Sequence, residues 1–253
     1  MKRNEGVVIL MGLKRKRVFV AGGTGKIGEA LLRALSAENA QVSFSYCKGK
    51  GRAEALSKDL GLPEPLHLDV GDPKEVEEIC EVTLERFHGL DALINAAGVW
   101  LRAPLERATA EEMQRVFRVN LLGPLYLLKA FLPALRANQK GGSAVLFSSS
   151  GRELEAPSQS FYAASKAGVS GMVRALAFEL APMGVRINAV APSYALSIKK
   201  AEEKRREESA LALIARSFSH PMDVAEVVKF LISEESGIVS GQTIELEVPF
   251  EYS

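Results

Sequence analysis

The stretch RVFVAGGTGKIG, residues 17–28, runs from a short apolar strand into a glycine-rich turn at the head of an amphipathic helix. From Ala21 to Gly28 the turn spaces Gly22, Gly25 and Gly28 three apart. At such a place free backbone N–H groups and the helix dipole favour a pyrophosphate. In that reading Gly22 makes the turn, Gly25 lets the backbone approach the phosphates, and Gly28 allows close helix–sheet packing, with Thr24, Lys26 and Ile27 among the contacts. A merely tight turn is the alternative for a glycine cluster alone, and its seat between first strand and first helix favours the nucleotide. A P-loop is excluded, because Val20 stands where its first glycine belongs and Ile27 where it needs Ser or Thr.

Outward from this unit, short apolar strands alternate with amphipathic helices, the signature of βαβ units on a parallel sheet. Strands are predicted at 17–21, 41–46, 66–69, 90–95, 143–148, 186–191 and 243–247, and helices at 26–38, 51–60, 73–88, 109–138, 158–181 and 222–233. The expectation is an α/β fold: one doubly wound Rossmann-type domain over 17–253, about seven parallel strands with helices on both faces, after an N-terminal extension at 1–16. Met11 is a plausible alternative start, since the first core strand begins only at Arg17 or Val18.

Composition narrows the partners. With 253 residues, 47% hydrophobic and 25% charged, the chain can bury a large core, and a net charge of +1 gives no argument for nucleic acid or an anionic membrane. Cys47 and Cys80 form neither a metal-ligand spacing nor a disulfide framework, which favours a reducing, cytoplasmic setting. His67, His88 and His220 form no cluster, so no metal role is assigned. No apolar run is read as long enough to span a membrane, and Val7–Leu13 makes a poor signal peptide, with strongly basic Lys14–Arg17 behind it.

The second strand ends near Tyr46, followed by Cys47, Lys48, Gly49, Lys50, Gly51 and Arg52. An NAD site usually places a carboxylate here for the ribose 2′-hydroxyl. Three cations stand there instead, which points to the 2′-phosphate of NADP(H), the alternative being a solvated basic loop. Asp69-Val70 and Asn95-Ala96-Ala97-Gly98 follow the third and fourth strands, at the carboxyl ends where open sheets hold ligands. Asp69 would accept from an adenine amino group, and the small residues at 96–98 would pass under the cofactor.

The stretch from Ser149 to Lys166 carries the chemistry. Tyr162 and Lys166 are four apart, on one face of a helix, and Ser149 leaves the strand before it. A free phenol titrates near ~10, and a fixed ammonium beside it stabilises the phenolate and brings it toward a useful acid–base range. By itself Tyr-x-x-x-Lys equally describes a core aromatic and a solvated lysine.

The ordered set of glycine turn, Asp69-Val70, Asn95-Ala-Ala-Gly, Asn120, Ser149, Tyr162-x-x-x-Lys166 and Asn188-Ala-Val-Ala-Pro192 resembles the short-chain dehydrogenase/reductase family over nearly the whole chain from Arg17. It is most similar to the 3-oxoacyl-carrier-protein reductase branch, as is the tail HPMDVAEVVKFLISEESGIVSGQTIEL. The resemblance implies Tyr162 as general acid and base, Lys166 on the nicotinamide ribose, Ser149 on the substrate carbonyl and Asn120 anchoring a water relay to Lys166. It adds Pro192, Ser193 and Ala195 to the cofactor contacts, makes 193–218 a substrate lid, and implies a homodimer or homotetramer. Trp100, Leu154 and Tyr194 would stand near the pocket mouth, implying an apolar or aromatic-tolerant substrate, the alternatives being that each simply packs or that Arg102, Arg152 and Glu153 meet a polar substrate group instead. The implied activity is reversible, NADP(H)-dependent hydride transfer on a carbonyl or secondary alcohol, such as a 3-oxoacyl thioester or another ketone.

The sequence departs from the family pattern at Ala21 (usually threonine), Lys26 (commonly glycine), Pro192-Ser193 (usually Pro-Gly) with Ser197 where threonine is common, and the ending EVPFEYS. These departures support the rival expectation, a non-catalytic dinucleotide-binding regulator or scaffold of the same fold. The glycine spacing hints at an epimerase or dehydratase, against which chain length and tail argue. The charged run Lys199–Ser209 reads first as a solvated helix face.

Overall fold

The computed structural model describes residues 12–150, 157–193 and 220–246. Strand β1 (Arg17–Ala21) is its axis. Val18 and Val20 pack into a core on one face of the sheet, Phe19 and Ala21 into a core on the other, as the two-residue period of a strand requires. All four are shut off from solvent, which is why the run is apolar at every position.

The remaining strands are β2 (Gln41–Tyr46), β3 (Leu66–His67), β4 (Ala92–Asn95), β5 (Gly142–Phe147), β6 (Val185–Pro192) and β7 (Thr243–Leu246). They form one seven-stranded sheet in the order β3-β2-β1-β4-β5-β6-β7, every neighbouring pair parallel. The order reverses between β1 and β4. There Ala21 pairs with Asn95, so both strands end level and their following loops diverge, leaving a crevice at their carboxyl ends.

Helices α1 (Lys26–Ala37), α2 (Lys50–Leu60) and α7 (Pro221–Ile232) cover the first face, and α3 (Pro73–Phe87), α5 (Gly123–Arg136) and α6 (Ser160–Leu180) the second. Phe19 stacks on Phe131 of α5 with ring centroids 5.0 Å apart. Buried Lys229 of α7 reaches Glu38, the residue that ends α1, at 2.8 Å and Glu226 at 3.0 Å, tying those two helices together. Helix α3 opens as its sequence directs: Asp72 accepts from the Lys74 N–H, and Pro73 occupies the first turn, where no N–H is needed.

The expected helix over 109–138 is not continuous. A Thr109–Glu112 capping box starts α4 (Ala110–Phe117), a π-helical turn spans Arg118–Leu122, and α5 follows. The cause is Pro124. It has no N–H for the Asn120 carbonyl four residues back, so the ladder slips and the Gly123 N–H reaches the Arg118 carbonyl instead. The stretch Ala110–Arg136 is also long and apolar enough, by length and composition, to cross a bilayer, contrary to the expectation that no run reaches that length. Its Val119, Leu127, Leu128, Phe131 and Leu135 are buried in the second core, and core helices pass the same test. Strands β3 and β4 are two residues shorter than expected, β3 ending at His67 and β4 beginning at Ala92.

Candidate active site

The glycine turn is shaped by close backbone approaches. Gly22 has φ +81°, and a Cβ there would lie 2.6 Å from the Ala97 nitrogen. Both facts demand glycine. A Cβ on Gly28 would strike the Gly22 carbonyl oxygen, in keeping with close packing. Gly23, to which the sequence reading gave no role, is as constrained: its Cβ would strike the Phe44 ring, and its N–H donates to the Ser45 carbonyl at 2.8 Å. Only the burial of Phe44 opposite, a tertiary fact, identifies it. Gly25, the N-cap of α1, brings no side chain to the helix end, and it lines the crevice together with Lys26 and Ile27 of the first turn. That arrangement fits a pyrophosphate.

On one side of the Ala96–Gly98 loop lies a cavity of 300 Å³ lined by Gly22, Thr24, Gly25, Lys48, Asp69, Val70 and the loop itself. Of the three cations expected here only Lys48 lines it. Lys50 faces Glu54 at 3.7 Å, and Arg52 folds back onto Glu29 of α1 at 2.7 Å, because α2 begins at Lys50 and turns both side chains along helix surfaces. Tyr46 is not among the lining residues either. Its ring is buried in the first core, edge-on to His67 at 5.7 Å, since it is the last inward position of β2. One Asp69 oxygen accepts from the Gly71 N–H at 2.9 Å and the other stands 3.7 Å from Arg118. Cys47 and Leu68, beside the expected Lys48 and Asp69, also line this end, as do Arg115 and Val119, which carried no sequence signal because α4 and the turn after it arrive here only through the fold. Burial, with the Asp69 charge second, holds the Cys47 thiol above its ordinary pKa.

On the other side lies a cavity of 270 Å³ lined by Lys26, Ile27, Ala96–Gly98, Val99, Trp100, Phe147, Ser148, Tyr162, Lys166, Pro192 and Ser193. Lys26 therefore serves this end of the crevice. Tyr162 and Lys166 are buried, at 8% and 7% exposure. The Lys166 ammonium donates to the Phe147 carbonyl at 2.8 Å and lies 6.0 Å from the Tyr162 ring centroid. A Cβ at Gly98 would sit 3.3 Å from Asn120 Oδ1 and 3.6 Å from Lys166 Nζ, so both groups stand directly beneath the loop. Asn120 is fully buried in the π-helical turn. Its Oδ1 accepts from the Val99 N–H at 2.8 Å, and its amide donates to the Val99 carbonyl at 2.9 Å and to Ser165 Oγ at 3.2 Å.

Asn95 works from below: its Oδ1 accepts from the Ala97 N–H at 3.2 Å, fixing the loop without lining either cavity. Ser148, absent from the expected set, turns its hydroxyl onto the Lys166 carbonyl at 2.9 Å and so anchors α6 to the end of β5. Ser149 follows it at 3% exposure, and is not itself a lining residue. Ala195, Leu154, Tyr194, Arg152, Glu153, Ser197, the lid beyond Ser193 and the ending EVPFEYS lie outside the described residues, as does 1–11 of the N-terminal extension.

Comparison with known proteins agrees with this geometry. A family model described as Enoyl-(Acyl carrier protein) reductase matches residues 22–247. A protein named 3-oxoacyl-[acyl-carrier-protein] reductase FabG from Thermotoga maritima is 34% identical over 94% of this chain and 98% of its own length. One of the same name from Staphylococcus aureus is 29% identical over 91% and 96%. Among solved structures, a short chain dehydrogenase from Burkholderia cenocepacia in complex with NADP is 28% identical, covers 93% of this chain and 97% of its own, and superposes with a TM-score of 0.81. A dehydrogenase/reductase from Sinorhizobium meliloti reaches 0.83 at 27% identity, over 95% and 97%. The chain thus belongs to the short-chain dehydrogenase/reductase family of NAD(P)-dependent oxidoreductases, and within it is most similar to the 3-oxoacyl-[acyl-carrier-protein] reductase-like branch.

Proposed function

We propose that this protein is an NADP(H)-dependent carbonyl reductase, run in reverse as a secondary-alcohol dehydrogenase, with a 3-oxoacyl thioester or a related ketone as substrate. The observation that carries this reading is the convergence of Tyr162, Lys166 and Asn120 around one loop, Ala96–Gly98, that also borders the phosphate turn. The turn and its uncapped helix suit the pyrophosphate, and the Ala96–Gly98 loop would run beneath the dinucleotide. When bound, the nicotinamide supplies or accepts the hydride.

The chain's own residues do the rest. Tyr162 gives its phenolic proton to the substrate oxygen in reduction and takes it back in oxidation. The Lys166 ammonium, fixed by the Phe147 carbonyl, stabilises the phenolate left behind. Ser149 orients the carbonyl. Asn120 has its amide committed to Val99 and Ser165, so its backbone carbonyl, whose usual helical donor is missing at Pro124, is the group to hold a relay water for Lys166.

The preference for NADP(H) rests on Lys48 at the adenosine end and on the lack of a carboxylate at the close of β2. Self-association is part of the reading. Helix α6 turns Ala164, Ala167, Arg174 and Ala175 outward around the half-buried Gly171, ending in Phe178 at 85% exposure, and a second copy of this chain would cover this face. Sedimentation of the wild type against Phe178→Arg tests this, a unimolecular wild type overturning it.

The deciding experiment follows oxidation of NADPH and of NADH with a panel of 3-oxoacyl thioesters and simple ketones. Turnover with NADPH in preference to NADH supports the reading. Tight NADPH binding without turnover across the whole panel would replace it with the non-catalytic regulator.

A further inference from the structure

The segment Val99–Ala103 is tied at one end to Asn120 and at the other to the residues just ahead of α6. On one side Asn120 holds both the N–H and the carbonyl of Val99. On the other, the Ala103 N–H donates to the Ser158 carbonyl at 2.9 Å, and Arg102 Nε to the Pro157 carbonyl at 3.3 Å. Between these ties the Trp100 indole N–H donates to Gln159 Oε1 at 2.6 Å. Gln159 is the residue that opens α6, yet its side chain makes no capping bond to the helix. It is 5% exposed and three residues ahead of Tyr162, hence on the same helix face.

A buried amide spent on an indole rather than on its own helix end fixes the plane of that indole. Trp100 is 55% exposed, and it lines the cavity that Tyr162 and Lys166 share. A ring held in one plane by a buried amide is a rigid wall for that cavity.

Resting on the reductase reading above, we infer that Trp100, locked in place by Gln159, is a specificity-determining wall that receives the apolar arm of the ketone substrate and favours extended or aromatic arms over short ones. Gln159 is a positioning residue acting through Trp100. The hydrogen bond sets the ring plane, and the ring then gains contact area with every added methylene.

The test uses the full chain with NADPH and the ethyl esters of 3-oxobutanoate, 3-oxohexanoate and 3-oxooctanoate. Trp100→Ala should lower the ratio of kcat/KM for the octanoate over the butanoate by about tenfold, the size of effect an apolar pocket gives. Trp100→Phe, which keeps a ring but loses the N–H, and Gln159→Met, which loses the acceptor, should each lower it by about threefold, and the double variant no further, because they break one interaction. An equal loss on all three esters, or additive losses in the double variant, overturns the inference. Fluorescence separates this from failure of the reductase reading, since Trp100 is the sole tryptophan. If no ester is turned over, Gln159→Met must still shift the Trp100 emission, and ethyl 3-oxooctanoate with NADP⁺ must still quench it in the wild type. Unchanged emission in Gln159→Met, or no quenching, overturns the strut or the wall.

Discussion

The two halves of the crevice are built from different materials. The half proposed for adenosine is organised by backbone, a turn at Gly22–Gly25 and the exposed head of α1, with Lys48, Asp69 and Arg115 among the side chains around it. The half proposed for catalysis is made of buried side chains, with Tyr162, Lys166 and Asn120 each at 8% exposure or less. Backbone N–H groups bind phosphate whatever side chains they carry, provided the chain can approach closely. Ala21 and Lys26 can therefore depart from the family pattern without undoing the turn. Proton transfer needs one phenol at one place, and the burial of its neighbours supplies that constraint.

Substitutions that break this division should rank by how much chemistry they remove. Tyr162→Phe removes the proton donor and leaves the adenosine half intact. Turnover should fall about a thousandfold, with NADPH affinity by titration within about twofold of wild type. A variant that keeps full turnover would end the assignment of Tyr162.

Gly28→Ala attacks the other half. Its Cβ would strike the Gly22 carbonyl, and overpacking of this kind costs about 1–3 kcal/mol. Both cofactors should weaken together, by up to about a hundredfold, with a lowered thermal midpoint. Unequal losses would mean that the turn also reads the 2′-phosphate.

Lys48→Ala sharpens the comparison. Losing a charged hydrogen bond of about 1.5 kcal/mol should weaken NADPH about tenfold and leave NADH unchanged. Equal effects on both would return Lys48 to solvent and remove the case for NADP(H).

The smallest effect belongs to Glu29→Gln. Glu29 holds Arg52 and Arg33 on α1 at 2.7 Å and 3.1 Å, and releasing Arg52 toward the rim should favour NADPH about twofold, on the scale of an exposed pair. Burial opposes ionisation of Glu29, but the two arginines outweigh it and hold its carboxyl below the ordinary glutamate range. A depressed carboxylate stabilises the fold above its unfolded pKa and loses that contribution as pH falls through the folded value. The difference in thermal midpoint between wild type and Glu29→Gln should therefore be present at neutral pH and vanish on acidification below about pH 4. A difference that grows in acid would reverse the sign and the argument.

Much of the crevice was legible in the chain. Strand β1 ends where its apolar run ends, at Ala21, because a strand buried on both faces stays apolar, and β2 ends at Tyr46, the last of the alternating Val42, Phe44 and Tyr46 that face the first core. The glycines, Asp69, Asn95 and the Tyr162–Lys166 pair stand at strand ends or on one helix face, so local spacing reveals them. Other features stayed hidden. Gly23 matters because Phe44 sits opposite, 21 positions later in the chain. Arg52 is diverted by Glu29, a partner on another helix. The break at Arg118–Leu122 was signalled by Pro124, yet its consequence for Asn120 appears only when the ladder is laid out.

The sequence by itself determined the order of strands and helices, the glycine turn ahead of α1 and the Tyr162–Lys166 pair on one helix face, since each depends on residues within a turn or two of one another. Tertiary structure alone decided which of Lys48, Lys50 and Arg52 meets the crevice, what holds Asn120, and that Trp100 leans on Gln159. Apart from Lys50, which meets Glu54 one turn along its own helix, those outcomes join groups 20 to 60 positions apart, decided by which surfaces the folded sheet brings within hydrogen-bond reach.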